Sequence, residues 1–388
     1  MSAEELGFTS SIQEDVILTS QSTQNGSIIA LTEEQVGNND VGYFDPSKRI
    51  VIQRLLAAAS MAVVAPQASL DPEPWERLSQ AITKPSVMNA GAFNHFHRLV
   101  EGCWGLSNNG EMDVAEEVLS NFLPRMIELA PYQSEAAMLA AQGLRLRSIL
   151  SAHQLKLSDM VPLCQLSVDC ARQANDYDTL SAALNGLAVA FKYVQHSEDS
   201  FKSYQEAIYY SDHASPLLRS RVYAGFAAAL AQRGRKQEAG LYIHLAYENF
   251  PDHPENDPNF LSADNGIFML AYYEGLTYLA LCRPEEAEKA FESYKKQLAN
   301  AAIPERNRLE IINYRGQAAI LANNLDLYAL CLEEGLSGAM ALKSKKRFDE
   351  AVNIYQKDMP KKWLLEPHIK QITECFQLPM GEQQGKKL

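Results

Sequence analysis

The sequence predicts an all-α protein built from antiparallel helix pairs that stack side by side. Hydrophobic residues make up 46% of the 388 positions, and alanine and leucine are the commonest among them. Stretches in which apolar and polar residues alternate, the pattern of half-buried strands, are nearly absent. A second observation is a set of small and aromatic residues that recurs along the chain, which is typical of repeated helix pairs. Together these observations favour a helical solenoid over any fold that contains a sheet.

The recurring pattern is clearest between Gly275 and Phe291. Tyr278 follows Gly275 after three positions, and Phe291 follows Ala287 after four. A small residue allows two helices to cross closely, and larger side chains fill the space beside the crossing. Four further copies can be aligned with this one; their small residues are Gly102, Ala188, Ala227 and Gly338.

This is the tetratricopeptide (TPR) pattern, in which one helix pair cannot bury its own apolar face and must stack on its neighbours. The sequence therefore predicts a TPR-like α-solenoid in a right-handed superhelix. The copies are unevenly spaced: Ala188 and Ala227 are 39 positions apart, and Ala227 and Gly275 are 48 apart, against a regular repeat of roughly 34. A helix over 325–335 is expected to run directly into the next one.

Four regions are predicted along the chain. The first is poor in large apolar residues and rich in Ser, Thr, Gln, Asn and Gly, so it is predicted to be disordered. Asp45 and Pro46 are suitable for the N-cap and the first position of a helix. The regions are a disordered linker-like segment at 1–45, a helical lead-in that packs on the array at 46–85, the repeat domain at 86–378 and a disordered tail at 379–388.

The net charge and the cysteine content indicate what kind of surface and cellular environment to expect. The net charge of −13 argues against nucleic-acid binding by the surface as a whole. The six cysteines lack a C-x-x-C motif and lie in apolar helical contexts, so buried free thiols in a reducing cytoplasm are expected.

A basic cluster near the C-terminus is expected to be a solvated helix that caps the stack, the alternative being a docking site for an acidic partner or DNA. Its members are Lys343, Lys345, Lys346, Arg347, Lys357, Lys361 and Lys362.

No enzyme, cofactor or metal site is predicted. The sequence contains no phosphate-binding loop, no dinucleotide-binding glycine motif and no nucleophile elbow. His97 and Glu101 share a helix face, but no third metal ligand is evident. The longest apolar run, 55–65, follows Lys48 and Arg49 like an export signal, yet it is far shorter than the roughly 20 residues that span a membrane. A helix docked on the array is therefore the expected role of this run, and no membrane association is predicted.

A binding groove is expected on the concave side, where the first helix of each pair presents its polar positions. Amides with scattered cations suit the backbone and side chains of a peptide. The alternative is that these positions are ordinary solvated surface. The candidates are Trp104, Arg147, Asn185, Lys192, Arg221, Gln232, Tyr272, Asn313 and Gln317.

Several segments resemble one bacterial group, the Xre-type helix-turn-helix transcriptional regulators that carry a C-terminal TPR domain. The resemblance rests on the array, on the opening 2–7, on 45–49, on 257–266 and on 343–356. It implies DNA binding through the helix-turn-helix domain and ligand sensing through the repeats. No such DNA-binding domain is found in this sequence, so only the second implication carries over.

The sequence thus predicts a non-catalytic peptide- or protein-binding TPR scaffold in the cytoplasm, a regulatory or sensor module with a peptide or protein in its concave groove. A homodimer is possible, and no direct contact with nucleic acid is expected. The alternative is a transcription regulator, a remnant or partner of a helix-turn-helix protein that acts in DNA-bound complexes. An enzyme with an unrecognised site is the third hypothesis.

Overall fold

A computed structural model describes residue 88 and residues 90–262, 266–297 and 303–378. The predicted linker, lead-in and tail lie outside these residues. Fourteen α-helices and no strand occur in the described part of the chain. The helices are α1 Ala90–Asn108, α2 Met112–Leu129, α3 Ser134–His153, α4 Leu157–Ala174, α5 Tyr177–Tyr193, α6 Ser197–Ser211, α7 Pro216–Gln232, α8 Lys236–Asn249, α9 Ile267–Ala280, α10 Pro284–Gln297, α11 Glu305–Leu321, α12 Leu325–Ala341, α13 Lys345–Lys357 and α14 Pro367–Cys375.

The helices form two layers. From α1 to α12, each odd-numbered helix packs against the even-numbered helix that follows it, and successive odd-numbered helices also contact one another. Short connections make the members of a pair antiparallel. Capping side chains fix several helix starts: the side chain of Asp176 accepts from the Thr179 amide, and that of Ser344 accepts from the Arg347 amide. The all-α, TPR-like stack that the sequence predicts is confirmed.

The small residue of the clearest repeat lies at a close helix crossing. A Cβ atom added to Gly275 on α9 would come within 2.3 Å of the Phe291 ring on α10. Phe291 itself is completely buried. The packing role that the sequence assigns to this glycine is confirmed. Gly102 on α1 differs, because a Cβ there would meet nothing within 4 Å.

This contrast predicts opposite effects of the same substitution on stability. Gly275→Ala is expected to lower the free energy of unfolding by about 1–2 kcal/mol, because the overpacking cost exceeds the helix-propensity gain of about 1 kcal/mol. Gly102→Ala is expected to raise it by up to about 1 kcal/mol, since only the propensity gain applies there. Urea unfolding of the two variants measures both values. Equal effects at the two positions would contradict the crossing geometry.

The late copy at Gly338 lies at a different position in the helix pairs from the one that the sequence predicts. Residues 325–341 form one continuous helix, α12, as expected from the run past Gly335. However, α12 is the second helix of its pair, so Gly338 does not begin a new repeat. Its backbone instead lies against α11, where an added Cβ would be 2.3 Å from Leu309. The small residues of α12 therefore serve the crossing with α11.

The ends of the stack meet. Helix α13 contacts α3, so α3, α5, α7, α9, α11 and α13 form a closed ring of six neighbours. Beside the contact between α13 and α3, His153 Nδ1 is 2.7 Å from Ser344 Oγ. A second long-range hydrogen bond joins α11 to α1, from Arg306 Nη2 to Asn108 Oδ1 at 2.8 Å. We call these four residues the seam. The seam joins positions that are 191 and 198 residues apart in the sequence.

Candidate functional site: a cationic chamber inside the ring

The six ring helices surround a chamber of about 80 Å³. A space of this size holds about five to eight water molecules. Side chains from all six helices line it, together with Met160 and Cys164 of α4 and Ser262 from the α8–α9 connection. The carbonyl of Ser262 accepts a 2.9 Å hydrogen bond from Arg145, which ties this connection to the chamber wall.

The chamber wall is strongly cationic although the chain as a whole is acidic, with a net charge of −13. Among the residues that the structure describes, Glu310 lies in the wall, and Glu350 pairs with Arg347 behind it. Positive charge that is gathered in a buried site is costly unless anions compensate it. The cationic residues of the wall, within the part of the chain that the structure describes, are Arg145, Lys192, Arg221, Arg306, Lys346 and Arg347.

Arg347 is the centre of the polar network, and it is only 2% exposed. It donates to both carboxylate oxygens of Glu350 at 2.7 Å, to the Arg306 carbonyl at 2.7 Å, and to Glu310. Glu310 also accepts from the Tyr272 hydroxyl at 2.8 Å and from the Tyr193 hydroxyl. Burial alone would favour the neutral acid, but Arg347 and Lys346 hold the pKa of Glu310 well below its usual value. Glu310 is therefore ionised and fully engaged by the wall.

The two lysines of the wall lie over aromatic rings. The Lys346 ammonium is 3.5 Å from the centre of the Tyr193 ring, and the Lys192 ammonium is 5.8 Å from that of Tyr272. Removal from water lowers the pKa of Lys192. Burial, followed by the charge of Arg347, lowers the pKa of Lys346 to about 7.

Lys346 should make stability depend on pH. In the unfolded chain its pKa returns to about 10.4, so between pH 7 and 10 the unfolded state binds more protons than the folded state. Stability should then rise with pH across this window, by up to about 1.4 kcal/mol per pH unit. Urea unfolding at pH 7, 8 and 9 should show this slope, and Lys346→Met should reduce it. Lys345→Met, at the exposed neighbouring position, should leave it intact; an equal reduction there would contradict the assignment.

Four of the nine predicted groove residues line the chamber: Asn185, Lys192, Arg221 and Tyr272. Asn313 is not among the lining residues of the chamber; its side-chain amide donates to the backbone carbonyl of Arg347, which does line the chamber, at 3.0 Å.

The other four predicted residues lie elsewhere. Trp104 is buried, with the Arg145 guanidinium 5.6 Å from its ring centre. Arg147 pairs with Glu116 at 3.0 Å, Gln232 is exposed at the end of α7, and Gln317 donates to Asp358 at 2.9 Å. A ligand-binding role for all nine residues stays a prediction.

Two members of the basic C-terminal cluster are buried, contrary to the expectation from the sequence. Lys346 and Arg347 are 6% and 2% exposed, respectively, whereas the other five members are exposed. The expectation of a solvated helix is wrong for these two residues because the first turn of α13 packs into the ring beside Glu310. The local sequence shows only two adjacent basic residues after a capping serine. It does not reveal their burial, because the partner glutamate, Glu310, is 37 residues earlier in the chain.

The cysteines are free thiols, as expected, but not all are buried. Burial raises the pKa of Cys103 to about 12 and that of Cys164 to about 11. Cys282 and Cys375 are exposed, which corrects the expectation for these two. Cys282 lies in the turn after α9 with a positive φ of 56°, and Cys375 ends α14, so neither faces a helix crossing.

Within residues 88, 90–262, 266–297 and 303–378, no group of three or more His, Cys, Asp or Glu side chains could hold a metal ion. No helix in these same ranges is both long and apolar enough to span a membrane.

No protein-family model matches the sequence, and no curated protein matches it. One similar solved structure is that of a Rap protein complexed with competence and sporulation factor. It aligns with a TM-score of 0.45 and 11% sequence identity, over 74% of this chain and 88% of the Rap chain. A likeness of this extent does not indicate what the present chain binds.

Proposed function

We propose that this protein is a non-catalytic regulatory scaffold that binds a peptide or protein segment on the inner face of its TPR-like ring. The observation that carries the proposal is the convergence of charged and amide side chains from five of the six ring helices on one chamber. A scaffold that served only to hold its own shape would have no use for this arrangement, because burying polar groups is costly.

The chamber limits how a peptide can bind. A space for about five to eight water molecules admits one acidic side chain or a C-terminal carboxylate, but not a whole peptide. The rest of the ligand must lie over the chamber mouth or enter as the seam opens. The seam can respond to such a ligand because His153 and Arg306 belong both to the seam and to the chamber wall. Opening of the seam is the proposed regulatory output.

Selection from a random peptide library displayed on phage, with the purified protein as bait, tests this function. Selected peptides are expected to carry an acidic side chain or a free C-terminal carboxylate. Their affinity should fall at least about tenfold in Asn185→Ala, because an amide of the chamber wall is removed. Arg147→Ala is the matched control: Arg147 also lies on a ring helix, but it is partly exposed and pairs with Glu116 outside the chamber. Its affinity should be unchanged.

Two results would contradict the proposal. One is a library that yields no peptide with saturable binding to the folded protein. The other is an equal loss of affinity in Asn185→Ala and Arg147→Ala, which would place the ligand outside the chamber.

The proposal includes a relationship to the Xre-type regulators with TPR domains, and it keeps the cytoplasm as the expected location. Translation of the genomic sequence upstream of Met1 tests this relationship, because an in-frame helix-turn-helix domain would support it. The alternative role in DNA-bound complexes loses two of its candidate contacts, since Lys346 and Arg347 point into the ring rather than to the surface.

A further inference from the structure

A second concave site, an apolar groove of about 460 Å³, lies beside the seam. Its volume is several times that of the chamber, and it falls within the range of about 300–1,000 Å³ that is usual for ligand sites. No described residue lines both the groove and the chamber. The apolar side chains of the groove come from the turn after α3, from the end of α12 and from α13; they are Leu155, Ala339, Met340, Phe348 and Val352.

Two large apolar side chains of the groove are exposed to solvent. Met340 is 61% exposed and Leu155 is 38% exposed. Leu155 also has a positive φ of 61°, which is uncommon for a leucine. The corresponding turns after α5, α7, α9 and α11 have Gln195, Gly234, Cys282 and Asn323 in this conformation. Single exposed apolar residues are normal on a protein surface, but several that line one groove mark an interaction site.

One wall of the groove is a face of α13. Lys345, Phe348, Asp349 and Val352 line it, and their spacing of three and four places them on one side of the helix over two turns, about 10 Å. An amphipathic helix lays its apolar face into a groove of this kind. An extended partner would instead add to an open strand edge, and the described part of the chain has no strand. The groove therefore suits a helix.

The charged residues of the groove favour an acidic partner. Lys343 and Lys345 are exposed, and neither forms an ion pair with any residue that the structure describes. Asp349 also lines the groove, but its carboxylate accepts a 2.7 Å hydrogen bond from the Asn353 amide. Carboxylates beside the apolar face of a bound helix would pair with the two lysines, and such complementary charges select the partner.

The apolar run 55–65 of this chain matches the groove less well. Lys48, Arg49 and Arg54 precede this run, and 46–70 contains no acidic residue. The run would bring cations close to Lys343 and Lys345, and like charges in contact are unfavourable. Its predicted docking on the array then concerns another surface, and the occupant of the groove is assigned to a different protein.

The groove also spans the seam. Leu155 follows the seam residue His153 by two positions, whereas Lys343 and Lys345 are the neighbours of the seam residue Ser344, which itself lines the groove. A helix that contacts Leu155 and α13 at the same time therefore links the two sides of the seam. Such a ligand would hold the ring closed, against the opening that the proposed function assigns to the ligand of the chamber.

We propose that the groove is a docking site for an acidic amphipathic helix of a partner protein. The apolar face of this helix contacts Leu155, Met340 and Phe348, and its flanking carboxylates pair with Lys343 and Lys345. The site goes beyond the proposed function, because it is separate from the chamber and takes a ligand of different chemistry.

A phage-displayed library of amphipathic helices of about 16 residues, roughly four turns, tests the proposal with the full chain as bait. The library keeps leucine at spacings of three and four and allows Glu, Lys or Gln at the flanking positions. Enrichment of Glu at the flanking positions is expected. The best selected sequence is then made as a fluorescein-labelled peptide, and fluorescence anisotropy measures its affinity.

Two exposed apolar residues of α12 provide the test and its control. Met340→Gln removes an apolar contact of the groove, and the affinity for the selected peptide should fall at least about tenfold. Leu330→Gln alters a side chain of similar exposure, 58%, on the same helix but outside the groove, and the affinity should not change. Both side chains are exposed, so both variants should remain folded, which circular dichroism verifies.

A charge reversal tests the acidic character of the partner. Lys345→Glu should lower the affinity for the selected peptide at least about tenfold at low ionic strength. A peptide in which each flanking Glu is replaced by Lys should bind the Lys345→Glu variant more tightly than it binds the original protein. Equal binding of this Lys peptide to both proteins would contradict the pairing.

The proposal is overturned if no peptide of the library binds saturably, if Lys rather than Glu is enriched at the flanking positions, or if Met340→Gln and Leu330→Gln bind equally well. It is also overturned if the full chain sediments as a dimer that Met340→Gln dissociates, because the groove would then hold a second copy. Asn185→Ala should not change the affinity, since Asn185 lines the chamber; a loss there would place the helix in the chamber.

Discussion

Arg347→Ala is expected to lower the free energy of unfolding by about 3–5 kcal/mol. Arg347 is buried and donates to Glu310, to both oxygens of Glu350 and to the Arg306 carbonyl. Its removal would leave Glu310, itself 7% exposed, without its strongest partner. Breaking a buried ion pair from one side costs this much because the remaining charge is uncompensated. Urea unfolding monitored by circular dichroism at 25 °C measures the change.

Arg172→Ala is the matched control for this prediction. Arg172 also forms ion pairs with two carboxylates, those of Asp169 and Glu206, but its side chain is 53% exposed. Exposed ion pairs contribute about 0–1 kcal/mol, so a small change is expected. A loss at Arg347 no larger than the loss at Arg172 would show that the chamber network is not desolvated as the geometry indicates.

Phe291→Ala is expected to cost about 3–5 kcal/mol, the usual range for a large aromatic side chain in a core. Phe291 is completely buried, and its ring lies against the backbone of Gly275. The same contact predicts coupling between the two positions. Gly275→Ala should destabilise the original protein, yet in the Phe291→Ala background it should be neutral or stabilising, because the added methyl group then enters the space that the ring has left.

A double-mutant cycle by urea unfolding measures this coupling. An interaction energy of about 1 kcal/mol or more is expected, in the direction that makes the double variant more stable than the sum of the single changes. Strict additivity would contradict a direct packing contact between Gly275 and the ring of Phe291. The small and the aromatic positions of the repeat would then contribute to stability independently of each other.

The parts of the fold that were predictable from the sequence are local. Gly275 and Phe291 are only 16 positions apart, and their roles follow from the spacing of helices within one pair. Asn185, Lys192, Arg221 and Tyr272 were identified because the first helix of each TPR pair faces inward. Their convergence on one small chamber was not predicted, because it depends on how far the stack curves.

The parts that could not be predicted depend on distant contacts. Whether the stack remains an open groove or closes is decided by contacts such as that between His153 and Ser344, 191 positions apart. The burial of Lys346 and Arg347 has the same origin, since the first turn of α13 is inside only because α13 meets α3. A sequence pattern reports the face of a helix, but it does not report which remote helix covers that face.

Closure of the ring at the seam changes how the stability of each repeat depends on the others. In an open array each repeat interacts only with its neighbours, so the terminal repeats can unfold while the centre remains folded. In a closed ring, α3 and α13 each have neighbours on both sides, and opening any one junction weakens the support of every other helix. Unfolding of the six ring helices then becomes a single cooperative event, and a ligand that opens the seam lowers the resistance of the whole ring to proteolysis.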